Sequence, residues 1–188
     1  SMPGAAKAKY LISIHFNTEG NGGLEIYGSS EMDYTFAQLL KSNIQDKTGI
    51  KDSSNASVHK ESGIYTRDIT EEEAEEMKAE FVEDGLQPYD VKDGANYYFM
   101  IRESGGIVTG AFMDDRNGVD SANLYCNSNT GTEGYITELC YISVPEDVQL
   151  LQTHSDDFAA AIAESLINAW RPDVAPFLPE GATTEESA

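Results

Sequence analysis

Long apolar runs are missing from this chain: nothing in it approaches the roughly 20 residues that a helix needs to span a bilayer. The N-terminus also lacks the charged-then-apolar pattern of a secretory leader. Basic residues are scarce, 12 Lys and Arg against 33 Asp and Glu, for a formal net charge of −21. A surface this negative repels phosphate backbones and anionic membrane faces, so nucleic acid is not expected as a partner. Cysteine is limited to Cys126 and Cys140, whose spacing is neither that of a zinc knuckle nor that of a disulfide framework. Cys140 lies inside an apolar stretch and reads as a small buried hydrophobe, with a single bridge to Cys126 left open. Only three histidines are present, His15, His59 and His154, so any histidine-built metal site has little to draw on.

What is present suits one globular domain. The 188 residues can bury a core without cross-links, and 40% hydrophobic residues is a globular rather than a disordered composition. The acidic excess then reads first as solubility. Ser1 and Met2 resemble residues left by cloning, so the natural chain is expected to begin elsewhere.

Residues 9–17 alternate with the period of a strand, Tyr10, Ile12, Ile14 and Phe16 on one face and Leu11, Ser13, His15 and Asn17 on the other. A glycine-rich turn leads to a second strand, Leu24 to Tyr27, in a hairpin or an adjacent position. Ser30 can cap a helix over about 31–47, with Phe36, Leu39, Leu40 and Ile44 inward and Gly49 ending it. After a polar loop containing His59, residues 64–67 form a weak strand. Thr70 and Glu73 then read as a capping box for an acidic helix reaching about Glu83, which buries Ala74, Met77 and Phe81. Its consecutive glutamates point in different directions, the pattern of a solvated face rather than a metal cluster.

Tyr97 to Arg102 is read as a third strand, followed by an irregular Gly-, Asn- and Ser-rich stretch. GYITELCYIS, residues 134–143, is a fourth strand, apolar on both faces except at Thr137 and Glu138. A carboxylate in such a strand must be paired, protonated or placed at a metal. Residues 144–147 start a turn, and residues 155–170 form the clearest helix, with Phe158, Ile162, Leu166 and Ile167 inward. The alternation of strands and helices indicates an α/β layered domain, a mostly parallel or mixed sheet flanked by helices.

The order of SIHFN, GGLEIYG, an amphipathic helix, YYFMIRE and YITELCYISVPEDVQLL resembles the catalytic domain of the zinc-dependent N-acetylmuramoyl-L-alanine amidases. In that family a strand ending Ser-Ile-His-x-Asn supplies a zinc histidine, and a later strand of the form V-E-x-G-F-I-S-N-x-x-D supplies a catalytic glutamate. Ser13, Ile14, His15 and Asn17 match the first motif; Glu138, Ile142, Ser143 and Asp147 match the second, with Cys140 in place of its glycine and Val144 in place of its asparagine. The resemblance covers residues 9–170, with insertions at about 57–94 and 104–134 and a tail or linker at 171–188.

It implies His15 as a zinc ligand, Glu138 as general base and acid, and Asn17 and Arg102 lining a groove for peptidoglycan or a muropeptide. It also implies a bacterial cell-wall hydrolase, secreted or held in the wall, that cleaves the amide between the lactyl group of muramic acid and L-alanine with zinc-activated water. The family's second zinc histidine, in a Gly-His-Gly loop, and its zinc-ligating glutamate have no counterpart here, so the fold is expected to be truncated and the zinc site incomplete. The alternative is a non-catalytic amidase-like module that binds peptidoglycan peptides or a protein. A site rebuilt from His15, Glu138 and either His59 or His154 is the third option, although those two histidines read better as surface residues. For His15 and Glu138 the bland alternatives are a satisfied strand-end histidine and a salt bridge to Arg102. Loss of the leading strands would expose a sheet edge, for which either a homodimer through that edge or a rearranged edge is expected.

Overall fold

The computed structural model describes residues 10–29, 34–54, 59–61, 63–83, 96–98, 100–101 and 133–170. Their elements are β1 (Tyr10–Asn17), β2 (Glu25–Gly28), α1 (Thr35–Thr48), β3 (His59–Glu61), β4 (Ile64–Thr66), α2 (Glu71–Glu83), β5 (Glu133–Tyr141), α3 (Pro145–Thr153) and α4 (Ser155–Trp170). The strands form one five-stranded mixed sheet in the order β1-β5-β2-β4-β3. This is an α/β fold.

Strand alternation decides what each face of the sheet does. Leu24 and Ile26 of β2 and Tyr135 and Leu139 of β5 join Phe36, Leu40 and Ile44 of α1 and Phe158 and Ala161 of α4 in one buried apolar cluster. Tyr10 stacks on Phe36 with ring centroids 4.2 Å apart, which carries the packing out to β1. On the opposite face a smaller cluster of Tyr27, Tyr65 and Ile101 is flanked by Tyr98, Met100 and Ile136.

Local signals read from the sequence place several element ends. Gly49 takes the left-handed conformation, φ 75°, and its N–H closes α1 onto the Gln45 carbonyl. Thr70 and Glu73 form a reciprocal capping box, the Thr70 N–H donating to Glu73 Oε2 at 3.0 Å and the Glu73 N–H to Thr70 Oγ1 at 3.3 Å. Cys140 is a buried free thiol, as a small core hydrophobe should be.

Other expectations are corrected. β2 is neither in a hairpin with β1 nor next to it, because β5 lies between them, parallel to β1 and antiparallel to β2. The polar and glycine-rich turn after β1 therefore spans a strand rather than reversing onto its neighbour. Residues 97 and 98 form a bend and residues 100 and 101 are helical, so the expected strand over 97–102 is absent there. Tyr97 instead sits under the Arg67 guanidinium, 3.8 Å from its ring centroid, in a cation–π contact. Residues 144–147, read as the start of a turn, instead lead into the helix α3, which Pro145 opens at a position where no N–H is needed. His59 belongs to the strand β3 rather than to a polar loop, and the weak strand expected over 64–67 is β4. The helix expected over 31–47 runs over Thr35–Thr48. Ser30, Arg102, residues 104–132 and the tail 171–188 lie outside the described residues. Among the described residues no helix is long and apolar enough to cross a membrane.

Candidate functional site

The sheet brings together the two residues that the sequence singled out. His15 of β1 stands directly opposite Glu138 of the parallel β5, and Glu138 in turn stands opposite Glu25 of the antiparallel β2. Residues paired across neighbouring strands share a face, so His15, Glu138 and Glu25 form a row across three strands on the face away from α1 and α4. His15 is exposed, and its Nε2 is hydrogen-bonded with Ser13 Oγ at 2.6 Å, two residues back on the same face. Glu138 is partly buried, and its Oε2 is buried without a hydrogen-bond partner among the described residues. Arg102, the expected salt-bridge partner, lies outside them.

Burial is the main force holding the Glu138 carboxyl above the ordinary carboxylate range; His15 nearby pulls it down and the Glu25 carboxylate pushes it further up.

Glu25 is the residue that the sequence reading passed over. It is fully buried, and three side chains from three strands donate to its carboxylate. Tyr27 Oη donates to Oε2 at 2.9 Å, Asn17 Nδ2 to Oε2 at 3.3 Å, and Tyr141 Oη to Oε1 in a short hydrogen bond. This cage satisfies an anion that would otherwise be costly to bury. It also raises both tyrosines: burial first and the Glu25 carboxylate after it hold the Tyr27 hydroxyl well above the usual phenol range and push Tyr141 up to about 12. The signal that pointed to Glu138, a carboxylate inside an apolar strand, is equally present in LEIYG.

Tyr141 reaches this face because the β1–β5 register slips. His15 pairs with Glu138 but Asn17 pairs with Tyr141, so β5 spends one more residue than β1 over the same length. Asp147 fixes the end of the bulged strand. Its Oδ2 accepts the N–H groups of Gly23 at 2.8 Å and Tyr141 at 2.9 Å, tying the β1–β2 turn to β5 from the first turn of α3. Gly23 has φ 101°, and a Cβ there would come within 2.6 Å of the Ser53 amide nitrogen, so no other residue fits this approach. Asp147 entered the sequence reading only as a motif match; here it is a structural anchor.

The described residues do not supply the donor set of a zinc site. Among them no three His, Cys, Asp or Glu side chains are grouped to hold a metal ion. His15 contributes one imidazole, and the Glu25 carboxylate is committed to its three donors. A catalytic zinc takes about three protein ligands. His154 is engaged elsewhere, its Nδ1 2.8 Å from Asp157 Oδ2 between α3 and α4. The His59 side chain lies outside the described residues.

No protein-family model matches the chain, and no curated protein matches it by sequence. Two solved structures resemble it. A protein provisionally assigned as an N-acetylmuramoyl-L-alanine amidase from Neisseria meningitidis aligns at 17% identity with a TM-score of 0.41, over 89% of this chain and 60% of that one. Cwp6 from Clostridium difficile aligns at 16% identity with a TM-score of 0.43, over 88% of this chain and 19% of that one. The chain thus spans less than two thirds of the length of either structure, and similarity at this level assigns neither a family nor an activity.

Proposed function

We propose that this chain carries the proton-transfer part of a peptidoglycan amidase site, with Glu138 as general base and acid. The observation that carries this reading is the partly buried Glu138, raised carboxyl and partnerless Oε2 included, set directly opposite His15 on adjacent parallel strands. In the proposed reaction Glu138 takes a proton from a water molecule as its oxygen bonds to the carbonyl carbon of the muramoyl lactyl group. The same proton then passes to the leaving nitrogen of L-alanine as the C–N bond breaks, leaving a carboxylic acid and a free amine. His15, exposed at the strand end, faces the same opening and is available to the substrate carbonyl. Asn17 is committed to Glu25, so its part is to fix the strand end rather than to meet the substrate. Zinc at His15 would require ligands from outside the described residues, and no step above depends on it. A secreted or wall-bound setting belongs to this same proposal.

The test is hydrolysis of purified muropeptides followed by mass spectrometry, with zinc content measured on the same preparation. Cleavage at the lactyl–alanine amide that disappears in Glu138→Gln supports the proposal; equal cleavage by both proteins would sink it.

A second reading is favoured by one observation, the absence among the described residues of a three-ligand metal group. In that reading the same face of the sheet binds muropeptides without cutting them. Calorimetric titration showing saturable binding without hydrolysis selects it, and a folded protein that neither binds nor cleaves excludes both readings.

A further inference from the structure

The two edges that the described strands give the sheet differ in kind. One is β3, three residues long, His59-Lys60-Glu61, short and charged as protected edges usually are. The other is β1, eight residues long, Tyr10-Leu11-Ile12-Ser13-Ile14-His15-Phe16-Asn17, with no Asp, Glu, Lys, Arg or Pro, in a chain whose net charge is −21. No described strand pairs with its outer side. The helix layer covers Tyr10 and Ile12 but leaves Ile14 52% and Phe16 45% exposed, and Ile142, just past β5, is 54% exposed. These are the exposed large hydrophobic residues of the described part of the chain, and all three lie at the β1 end of the sheet.

We propose that β1 is a dimerisation edge on which the β1 of a second copy of this chain adds antiparallel. The backbone is set for it. The Asn17 carbonyl accepts from the Ile142 N–H, toward β5, so strand alternation turns the amides of Phe16, Ile14 and Ile12 outward. The strand is also complementary to itself. A two-fold axis at Ile14 sets Ile14 against the second copy's Ile14, and Phe16 against the second copy's Ile12, so the exposed apolar side chains cover one another. On the other face the same register sets His15 against the second copy's Ser13 and Leu11 against its Asn17, and no like charges meet. This is the isologous contact that closes at two copies. The axis runs through the sheet, so both His15 side chains lie on the same face and the two sites open side by side.

Sedimentation of the full chain across a concentration series tests this, together with amide exchange on the same samples. The expected result is a monomer–dimer equilibrium that tightens with added salt, as the repulsion between two chains of charge −21 is screened. Amide protection over residues 10–17 should rise with protein concentration, while residues 59–61 stay unchanged. Ile14→Lys and Phe16→Lys each change an exposed side chain, so the fold should survive, and each should weaken the dimer at least tenfold. A chain that stays monomeric at the highest concentration overturns the proposal. So does a dimer that both substitutions leave intact, or a β1 protected equally at all concentrations because another part of the same chain covers it.

Discussion

The two faces of the sheet are built from alternate residues of the same strands, yet they hold together by different physics. In β2, Ile26 points into the apolar layer with α1 and α4, beside the preceding Leu24, while Glu25 and Tyr27 point into a hydrogen-bonded network of carboxylates and phenols. The packed face depends on area and close contact, and tolerates exchange of one hydrophobe for another of similar volume. The polar face depends on donors matched to acceptors, and a single lost partner leaves a buried group exposed to its full desolvation cost. A strand of period two can thus carry stability on one side and chemistry on the other with no residue serving both.

Substitutions on each face should separate the two. The largest effect is expected from Phe158→Ala on the packed face, about 3–5 kcal/mol in denaturant unfolding, because the ring is buried between α4 and the sheet. Next is Glu25→Ala on the polar face, about 2–3 kcal/mol, since it strands the Tyr27 and Tyr141 hydroxyls. Glu25→Gln, which keeps an acceptor, should cost clearly less; equal losses in the two variants would show that volume rather than hydrogen bonding matters there. A gain is expected from Thr137→Val. Thr137 is fully buried on the packed face and its Oγ1 has no partner among the described residues, so removing the hydroxyl should stabilise by about 1 kcal/mol in a thermal melt.

The smallest effect is one of pH. Glu138 has a raised carboxyl, so between the ordinary glutamate range and its raised value the folded state holds a proton that the unfolded state has released. Stability from this group therefore falls as pH rises through that window and levels off above it. Glu138→Gln should remove the slope, making the variant relatively more stable at neutral pH than at acid pH. A wild-type excess in stability at neutral pH would instead mean that the carboxylate has a partner there.

Much of this was legible in the sequence, and the part that was not has a physical reason. The alternation of β1 and the carboxylate of Glu138 in an apolar strand are local patterns, and the structure sets His15 and Glu138 opposite each other on neighbouring strands. That β5 inserts between β1 and β2 is not local: it is decided by which strands bury the most surface together, and no window of residues contains that information. Glu25 was hidden for a different reason. One carboxylate in a short strand looks like its solvated side until Asn17 and two tyrosines of the same sheet close over it. The helix α3 is not legible beyond a turn at 144–147 because nine residues give a weak period, although its Pro145 opening is a usable sign.

The slipped register of β5 has a consequence for how this molecule can change over time. Because three residues of β5 answer two of β1, the bulge works as a phase shift between the strand's two readings: before it residue 138 faces the site, and after it residue 141 does. A flattened bulge with every residue kept would restore the simple rhythm and send the phenol of Tyr141 to the packed face, parting it from Glu25, whereas a one-residue deletion at 139 or 140 would leave Tyr141 on the face of Glu138. Loss of the extra residue is therefore a change in strand length that this face of β5 can absorb.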